Sequence, residues 1–239
     1  MRSTLKGFCV LFIAAFALTA GRTREAFAAG ATLTAKISFD GAAPAREKIK
    51  MAADPVCQQQ HKEAVLDESV VVNNGALQNV AVYVKDGLKG TFPASSTPVV
   101  IDQSGCQYHP HVFGIQAGQP LEIRNSDMTL HNINCQAQLN KRFNIAQPTK
   151  GMKTVKMFDK AEASVPFKCN VHPWMNAYAV VLDHPFFGVS DANGNLQIAN
   201  LPAGTYTIAA WHEKLGMQTQ SVTVSDGETK QVTFSFKAK

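Results

Sequence analysis

The sequence predicts an all-β protein built from β-sandwiches, and three observations support this. Apolar residues alternate with polar ones in many short segments, among them ATLTAKISF, LQNVAVYVK and GTYTIAAW. Turn-forming sequences separate these segments, as at NNG (73–75) and DANGN (191–195). The single convincing helix start is Asp54-Pro55, an N-cap followed by proline at the first helical position, which opens a short helix carrying Cys57 and His61. Many short strands at this spacing are typical of sandwiches.

The N-terminus has the order of a secretory signal peptide. Arg2 and Lys6 precede an apolar run, and the small residues around 26–29 resemble a cleavage site. The run is shorter than the roughly 20 residues that cross a bilayer as a helix, and no later segment is apolar for long enough. We therefore expect residues 1–29 to be removed and the mature chain to be periplasmic or secreted, without a membrane span.

The charge balance excludes one class of partner. The formal net charge is +5, and loss of four basic residues and one acidic residue with the signal leaves +2. So small a charge gives no electrostatic support for nucleic-acid binding. A basic segment at 136–157 is expected to be a solvated loop, with docking of an acidic partner as the alternative.

Four cysteines follow the predicted cleavage site. An oxidising compartment allows them to pair. If Cys169 is a metal ligand, one of Cys57, Cys106 and Cys135 is left over. Cys57 with Cys106 is the preferred disulfide, although sequence spacing alone does not decide the pairing.

The segment CNVHPWM (169–175) places three donors for a soft metal within seven positions. Cys169 offers a thiolate, His172 an imidazole and Met175 a thioether, and Pro173 stiffens the loop between the last two. Each of these residue types is also ordinary core material. A second imidazole must come from elsewhere, and His131 in NSDMTLHNIN follows a predicted strand and turn. Two imidazoles, a thiolate and a weak axial thioether suit both oxidation states of copper.

These two segments resemble the cupredoxins, or type 1 blue copper proteins. GQPLEIRNSDMTLHNIN and KCNVHPWMNAYAVVL are similar to the plastocyanin–amicyanin branch, over about 98–183. The resemblance implies a Greek-key β-sandwich that binds one copper ion per chain and acts as a one-electron carrier, not as an enzyme. It implies the metal ligands His131, Cys169, His172 and Met175. Around them it implies supporting roles for Asn132, Pro173 and Trp174.

The flanking sequence resembles a second module. DANGNLQIANLPAGTYTIAAW is similar to the later strands of carboxypeptidase-regulatory-like, Ig-like β-sandwiches. We expect a sandwich split into 30–97 and 184–239, with the cupredoxin domain 98–183 inserted between the halves. Two consecutive domains are the alternative.

The resemblance implies a redox protein as partner, such as a c-type cytochrome or a dehydrogenase, reached through an exposed edge of His172. Two other functions stay open. The chain could deliver or store copper without redox cycling, or it could be a β-sandwich binding module without a metal. The sequence offers no nucleophile-and-base arrangement and no phosphate-binding loop, so hydrolysis has no support.

Overall fold

The computed structural model describes residues 29–238, and nearly all of their regular structure is β-strand, as predicted. The residues before 98 form β1 (Ala31–Asp40), α1 (Pro55–Gln59), β2 (Val72–Asn73), β3 (Ala76–Leu77) and β4 (Ala81–Asp86). The middle contributes β5 (Val99–Ser104), β6 (Gln107–His109), β7 (Val112–Gln116), β8 (Leu121–Asn125), β9 (His131–Cys135), β10 (Phe143–Gln147), β11 (Lys153–Lys156), β12 (Glu162–Lys168) and β13 (Asn176–Leu182). The last strands are β14 (Phe187–Val189), β15 (Asn195–Leu201), β16 (Gly204–His212), β17 (Gly216–Val224) and β18 (Thr229–Lys237).

Two of the four sheets are built from both ends of the described chain. One has the order β15-β1-β3-β2, with β18 also paired to β1 in parallel; the other has the order β14-β4-β16-β17. Alternate side chains of β1, such as Leu33 and Ile37, are fully buried, as period-two patterning predicts. They form one core with residues of β4, β16 and β18.

The other two sheets come from the middle of the chain. Their orders are β10-β9-β12-β13-β7 and β11-β8-β5-β6, and a second core lies between them. A small third cluster, including Tyr83, Val180 and Ala209, joins the β4–β16 sheet to the β13–β7 sheet. Because β4, β13 and β16 put alternate residues into different cores, the four sheets stack as layers.

The helix α1 packs on the middle sheets, although the sequence places it within 30–97 of the outer sandwich. Met51 and Cys57 are buried in the second core, with Ile49 and Val65 packed against it. Asp54 caps α1 as predicted, since its side chain accepts hydrogen bonds from the amides of Val56 and Cys57. The predicted domain boundaries stay a prediction, but residues 49–65 pack against the sheets formed by the middle of the chain.

Two other expectations concern segments of the chain. The basic stretch 136–157, expected as a loop, contains β10 and β11, which pair with β9 and β8. The predicted signal peptide lies almost wholly outside the described residues. Among residues 29–238, no helix is long and apolar enough to span a membrane.

Candidate metal centre

Adjacent strands bring three of the predicted ligands together. Strand β9 begins at His131, and Cys169 directly follows β12. The two strands are antiparallel neighbours, with Lys168 opposite Asn134, so the chain after Cys169 runs along the start of β9. This register places the loop between β12 and β13 beside His131.

The three donor groups converge in a buried position. Nδ1 of His131 lies 2.9 Å from Nδ1 of His172, and Sγ of Cys169 lies 3.9 Å from the same His172 nitrogen. The ligand atoms of all three residues lie within 4.8 Å of one another. Their exposed fractions are 0 % for His131, 2 % for His172 and 4 % for Cys169.

Backbone hydrogen bonds fold the ligand loop back on itself. The Cys169 amide donates to the Met175 carbonyl (3.2 Å), and the Met175 amide donates to the His172 carbonyl (2.9 Å). The His172 amide lies 3.4 Å from Cys169 Sγ and donates to it. Met175 is buried in the second core, at the end of the same loop, whereas Pro173 is exposed. The loop therefore holds Cys169, His172 and Met175 close in space through its own backbone.

Two carboxylates that the sequence analysis did not identify hold the outer nitrogens of the imidazoles. Oδ2 of Asp127 lies 2.8 Å from Nε2 of His131, and Oδ2 of Asp54 lies 2.9 Å from Nε2 of His172. A carboxylate accepts a hydrogen bond from Nε2–H, which leaves Nδ1 as the nitrogen available to a metal. In both rings Nδ1 is therefore the nitrogen that faces the other donors.

The electrostatics of the centre favour a thiolate. Burial alone would raise the pKa of Cys169, but hydrogen bonds from His131 and His172 lower it to about 5. Burial likewise opposes the charged forms of both histidines, yet their bonds to carboxylate and thiolate raise the pKa of each. Burial raises the pKa of Asp54, while bonds from His172, Thr129 and helix amides lower it to about 2. Cys169 is therefore a ready metal ligand at neutral pH.

The donor set fits a soft transition-metal ion such as copper. A transition metal bonds imidazole nitrogen at about 2.0 Å and thiolate sulfur at about 2.3 Å. Nitrogens 2.9 Å apart, with a sulfur 3.9 Å from one of them, can therefore reach one ion. Two imidazoles and a thiolate, with a thioether in the same loop, form the donor type that accommodates both copper oxidation states.

Of the three expected supporting residues, Asn132 and Trp174 contact the centre, whereas Pro173 is exposed. Asn132 Oδ1 accepts from the Asn170 amide (2.7 Å) and lies 3.4 Å from Cys169 Sγ, so Asn132 ties β9 to the ligand loop. The Trp174 ring centroid is 5.1 Å from that of His172, and its Nε1 donates to the Cys106 carbonyl. Trp174 thus covers one side of His172.

The structure contains the disulfide that the sequence analysis preferred. Cys57 and Cys106 form a disulfide, while Cys135 and Cys169 are free and buried. Burial raises the pKa of Cys135 to about 11, so it is a protonated thiol. Within residues 29–238, Cys135 takes part in none of the side-chain groups suited to a metal.

One expectation about the centre is wrong. The resemblance implies an exposed edge of His172 through which a partner is reached, but the His172 ring is buried and its outer nitrogen is covered by Asp54. The sequence around Asp54 indicates only a helix cap. A pairing between residues 118 positions apart leaves no periodic signal in the sequence, and Asp127, four residues before His131, gives only a weak one.

Comparisons with known proteins give partial likenesses. Residues 164–232 match the family described as polysaccharide lyase family 4, domain II, a span of less than half the chain that begins inside β12. This match lends no support to the carboxypeptidase-regulatory-like resemblance, which stays a prediction. No curated protein matches the sequence.

Solved structures similar to this chain include copper proteins. A Cu-containing nitrite reductase from Thermus scotoductus SA-01 is 23 % identical over 41 % of this chain, with a TM-score of 0.34, and the match spans 25 % of the reductase. A point mutant of amicyanin in its Cu(I) form is 18 % identical over 42 % of this chain and 97 % of its own, with a TM-score of 0.32. A purple cupredoxin from Nitrosopumilus maritimus is 22 % identical over 34 % of this chain and 97 % of its own, with a TM-score of 0.30.

Proposed function

We propose that the chain is an exported protein that binds one copper ion and carries single electrons between redox proteins. The observation that supports this most directly is the convergence of His131, Cys169 and His172, with both outer imidazole nitrogens held by carboxylates. A structural zinc site would satisfy its ion with four strong donors. This set instead offers two nitrogens and one thiolate, with Met175 as a weak fourth ligand.

Bound copper would supply the one-electron redox chemistry, and the chain supplies a rigid frame for it. His131 is fixed at the start of β9, and Asp127 holds its ring. Cys169 and His172 are fixed by the hydrogen bonds of the ligand loop. Donors that cannot move keep nearly the same positions in both oxidation states, so little rearrangement accompanies electron transfer.

We infer that the protein is a carrier and not an enzyme. Substrate chemistry at the ion would need an open coordination position. Burial of the three donors, with Met175 buried at the end of the loop, leaves a small molecule no direct approach to the centre. The nitrite reductase likeness is therefore not taken as evidence of nitrogen-oxide chemistry.

The partner we propose is a redox protein of the c-type cytochrome or dehydrogenase kind. Because the ring of His172 is buried, we expect the partner to contact neighbouring residues instead. Met128 and Leu130 before His131, and Val171 before His172, are exposed apolar side chains. Such residues suit a transient protein contact.

The deciding experiment is optical spectroscopy on purified protein loaded with Cu(II). Thiolate-to-copper charge transfer should give an intense visible band, and Cys169→Ser should abolish it. Cys135→Ala is the matched control, because Cys135 is also a free buried cysteine; it should keep the band. A colourless Cu(II) complex of the unmodified chain would end the proposal.

Cyclic voltammetry distinguishes the carrier from a delivery or storage protein. A carrier gives a reversible one-electron wave in the copper-loaded protein. A delivery protein binds Cu(I) tightly but gives slow or irreversible reoxidation. Metal analysis that finds no copper after loading would favour a binding module without a metal.

A further inference from the structure

The Cys57–Cys106 disulfide lies directly behind the candidate metal centre. Sγ of Cys57 is 3.5 Å from Nε2 of His172, on the side of the ring opposite to His131 and Cys169. Both disulfide cysteines are fully buried. The disulfide therefore belongs to the wall of the centre, although its sulfurs are not among the three converging donors.

Asp54 links this disulfide to His172 through helix α1. Its Oδ1 accepts from the amides of Val56 (2.8 Å) and Cys57 (3.4 Å), which fixes the first turn of the helix. Its Oδ2 contacts His172 Nε2 at 2.9 Å and accepts from the Thr129 hydroxyl at 2.8 Å. One carboxylate thus begins the helix and covers the outer edge of His172.

The other half of the disulfide supports the second imidazole. The amides of Gly105 (2.9 Å) and Cys106 (2.8 Å) donate to the Asp127 carboxylate. Oδ2 of Asp127 in turn contacts His131 Nε2. The covalent bond between Cys57 and Cys106 therefore cross-links the two backbone segments that carry the carboxylate contacts of both imidazoles.

A covalent link matters here because α1 is too short to hold its own position. Helices shorter than about 12 residues are marginal without tertiary contacts, and α1 has five. Cys57 is the one residue of α1 that is buried. Without the disulfide, Asp54 would be held over His172 only by noncovalent contacts, among them its own hydrogen bonds, the packing of Met51 and the contact of His61 with the Gly105 carbonyl.

We propose that Asp54, locked in place by the Cys57–Cys106 disulfide, is a positioning residue that orients His172 and closes the copper centre against loss of the ion. The inference rests on the proposed copper function and adds to it a device that slows metal exchange. The disulfide acts by holding α1 and takes no part in electron transfer.

The variants distinguish two roles of the Asp54 side chain, which caps helix α1 and contacts His172. Asp54→Ser keeps a side-chain oxygen that accepts from the helix amides, but its single short hydroxyl cannot also reach His172. Asp54→Ala removes both functions, and the double variant Cys57→Ser with Cys106→Ser removes the lock. Thr129→Val is the matched control, because it removes one neighbouring bond to the same carboxylate and leaves the His172 contact.

The first measurement is the rate at which the Cu(I) chelator bathocuproine disulfonate removes the ion from the full chain. Loss of an outer contact to a metal ligand commonly costs 10- to 100-fold in affinity. We expect removal to be about 10-fold faster or more in Asp54→Ser, in Asp54→Ala and in the double variant. Thr129→Val should stay within about threefold of the unmodified chain. Unchanged removal rates in both Asp54→Ser and the double variant would overturn the proposal.

The second measurement does not depend on copper. In metal-free protein, proton exchange at Nε2–H of His172, followed by NMR, reports whether the ring edge is covered. The proton should be protected in the unmodified chain and exchange at least about 10-fold faster in Asp54→Ser. Equal exchange in the two would contradict the positioning role even if the copper band is present. A protected proton in a chain without that band would show the proposed function to be wrong and the positioning role to stand.

Discussion

Asn132 joins two segments of the metal centre through one side chain. Its Oδ1 accepts from the Asn170 amide, and its Nδ2 donates to Asn144 on the neighbouring strand β10. Asn132 is buried, so removal of its side chain leaves the Asn170 amide without its partner. A single amide group therefore stabilises the ligand loop against β9.

We expect Asn132→Ala to lower the free energy of unfolding by about 0.5–1.5 kcal/mol, the usual net contribution of a hydrogen bond. The measurement is the urea midpoint of metal-free protein. Asn134→Ala is the matched control: Asn134 also contacts Asn170, side chain to side chain at an exposed position, and should cost less than about 0.5 kcal/mol. Equal losses in the two variants would contradict a special role for Asn132.

At the scale of elements, a buried ion pair connects the middle sheets to the outer ones. His111, which directly precedes β7, contacts Glu213 in the turn after β16, and both side chains are almost wholly buried. Nδ1 of His111 also contacts the Asn176 carbonyl at the start of β13. Burial lowers the pKa of His111, but the bond and charge of Glu213, with Glu68, raise it above its ordinary value.

This pair should make stability depend on pH. Because the folded state binds the His111 proton more tightly than the unfolded chain, the pair's contribution is full below the ordinary pKa of 6.5. It is lost as the pH rises through the raised pKa of the folded state. We expect the unfolding free energy of the unmodified chain to exceed that of Glu213→Gln by about 1–3 kcal/mol at pH 6, and by less at pH 9.

The comparison between the two chains is needed because another histidine acts in the opposite direction. Burial lowers the pKa of His212 to about 4, so folding is disfavoured as the pH falls below 6.5. That effect is present in both chains and largely cancels in the difference. A difference that is constant from pH 6 to pH 9, measured by urea unfolding, would show that the pair is not charged.

The strands and the ligand loop could be predicted from the sequence, whereas the contact of Asp54 with His172 could not. Alternating burial gives β1 and β18 a period of two that is visible in the letters, and Cys169, His172 and Met175 are close because they share one turn. The contact between Asp54 and His172 depends on how α1 packs across the middle sheets. That packing is a tertiary property, so nothing local to Asp54 predicts it.

At the scale of the whole molecule, different exposed apolar residues lie near the two ends of β8, and one end leads into the loop before His131. The loop between β8 and β9 carries the exposed Met128, three residues before His131. Met157 is similarly exposed but follows β11, whose Lys156 pairs with Leu121 at the opposite end of β8. A residue pitch of about 3.3 Å along a strand separates the two ends of β8 by more than 10 Å.

Electron self-exchange between oxidised and reduced copies tests this surface without an identified partner, because two molecules must bring their centres close together. A carboxylate at position 128 would have to lose water in such a contact, which is costly for a charge. With exposed fractions of 74 % for Met128 and 61 % for Met157, Met128→Glu and Met157→Glu make the same chemical change at comparable positions. We expect NMR line broadening to show self-exchange slowed about 10-fold or more in the first variant, since about 1.4 kcal/mol of contact energy suffices, and little changed in the second. If both variants slow equally, net charge governs the encounter, and the apolar residues beside His131 are not the contact surface.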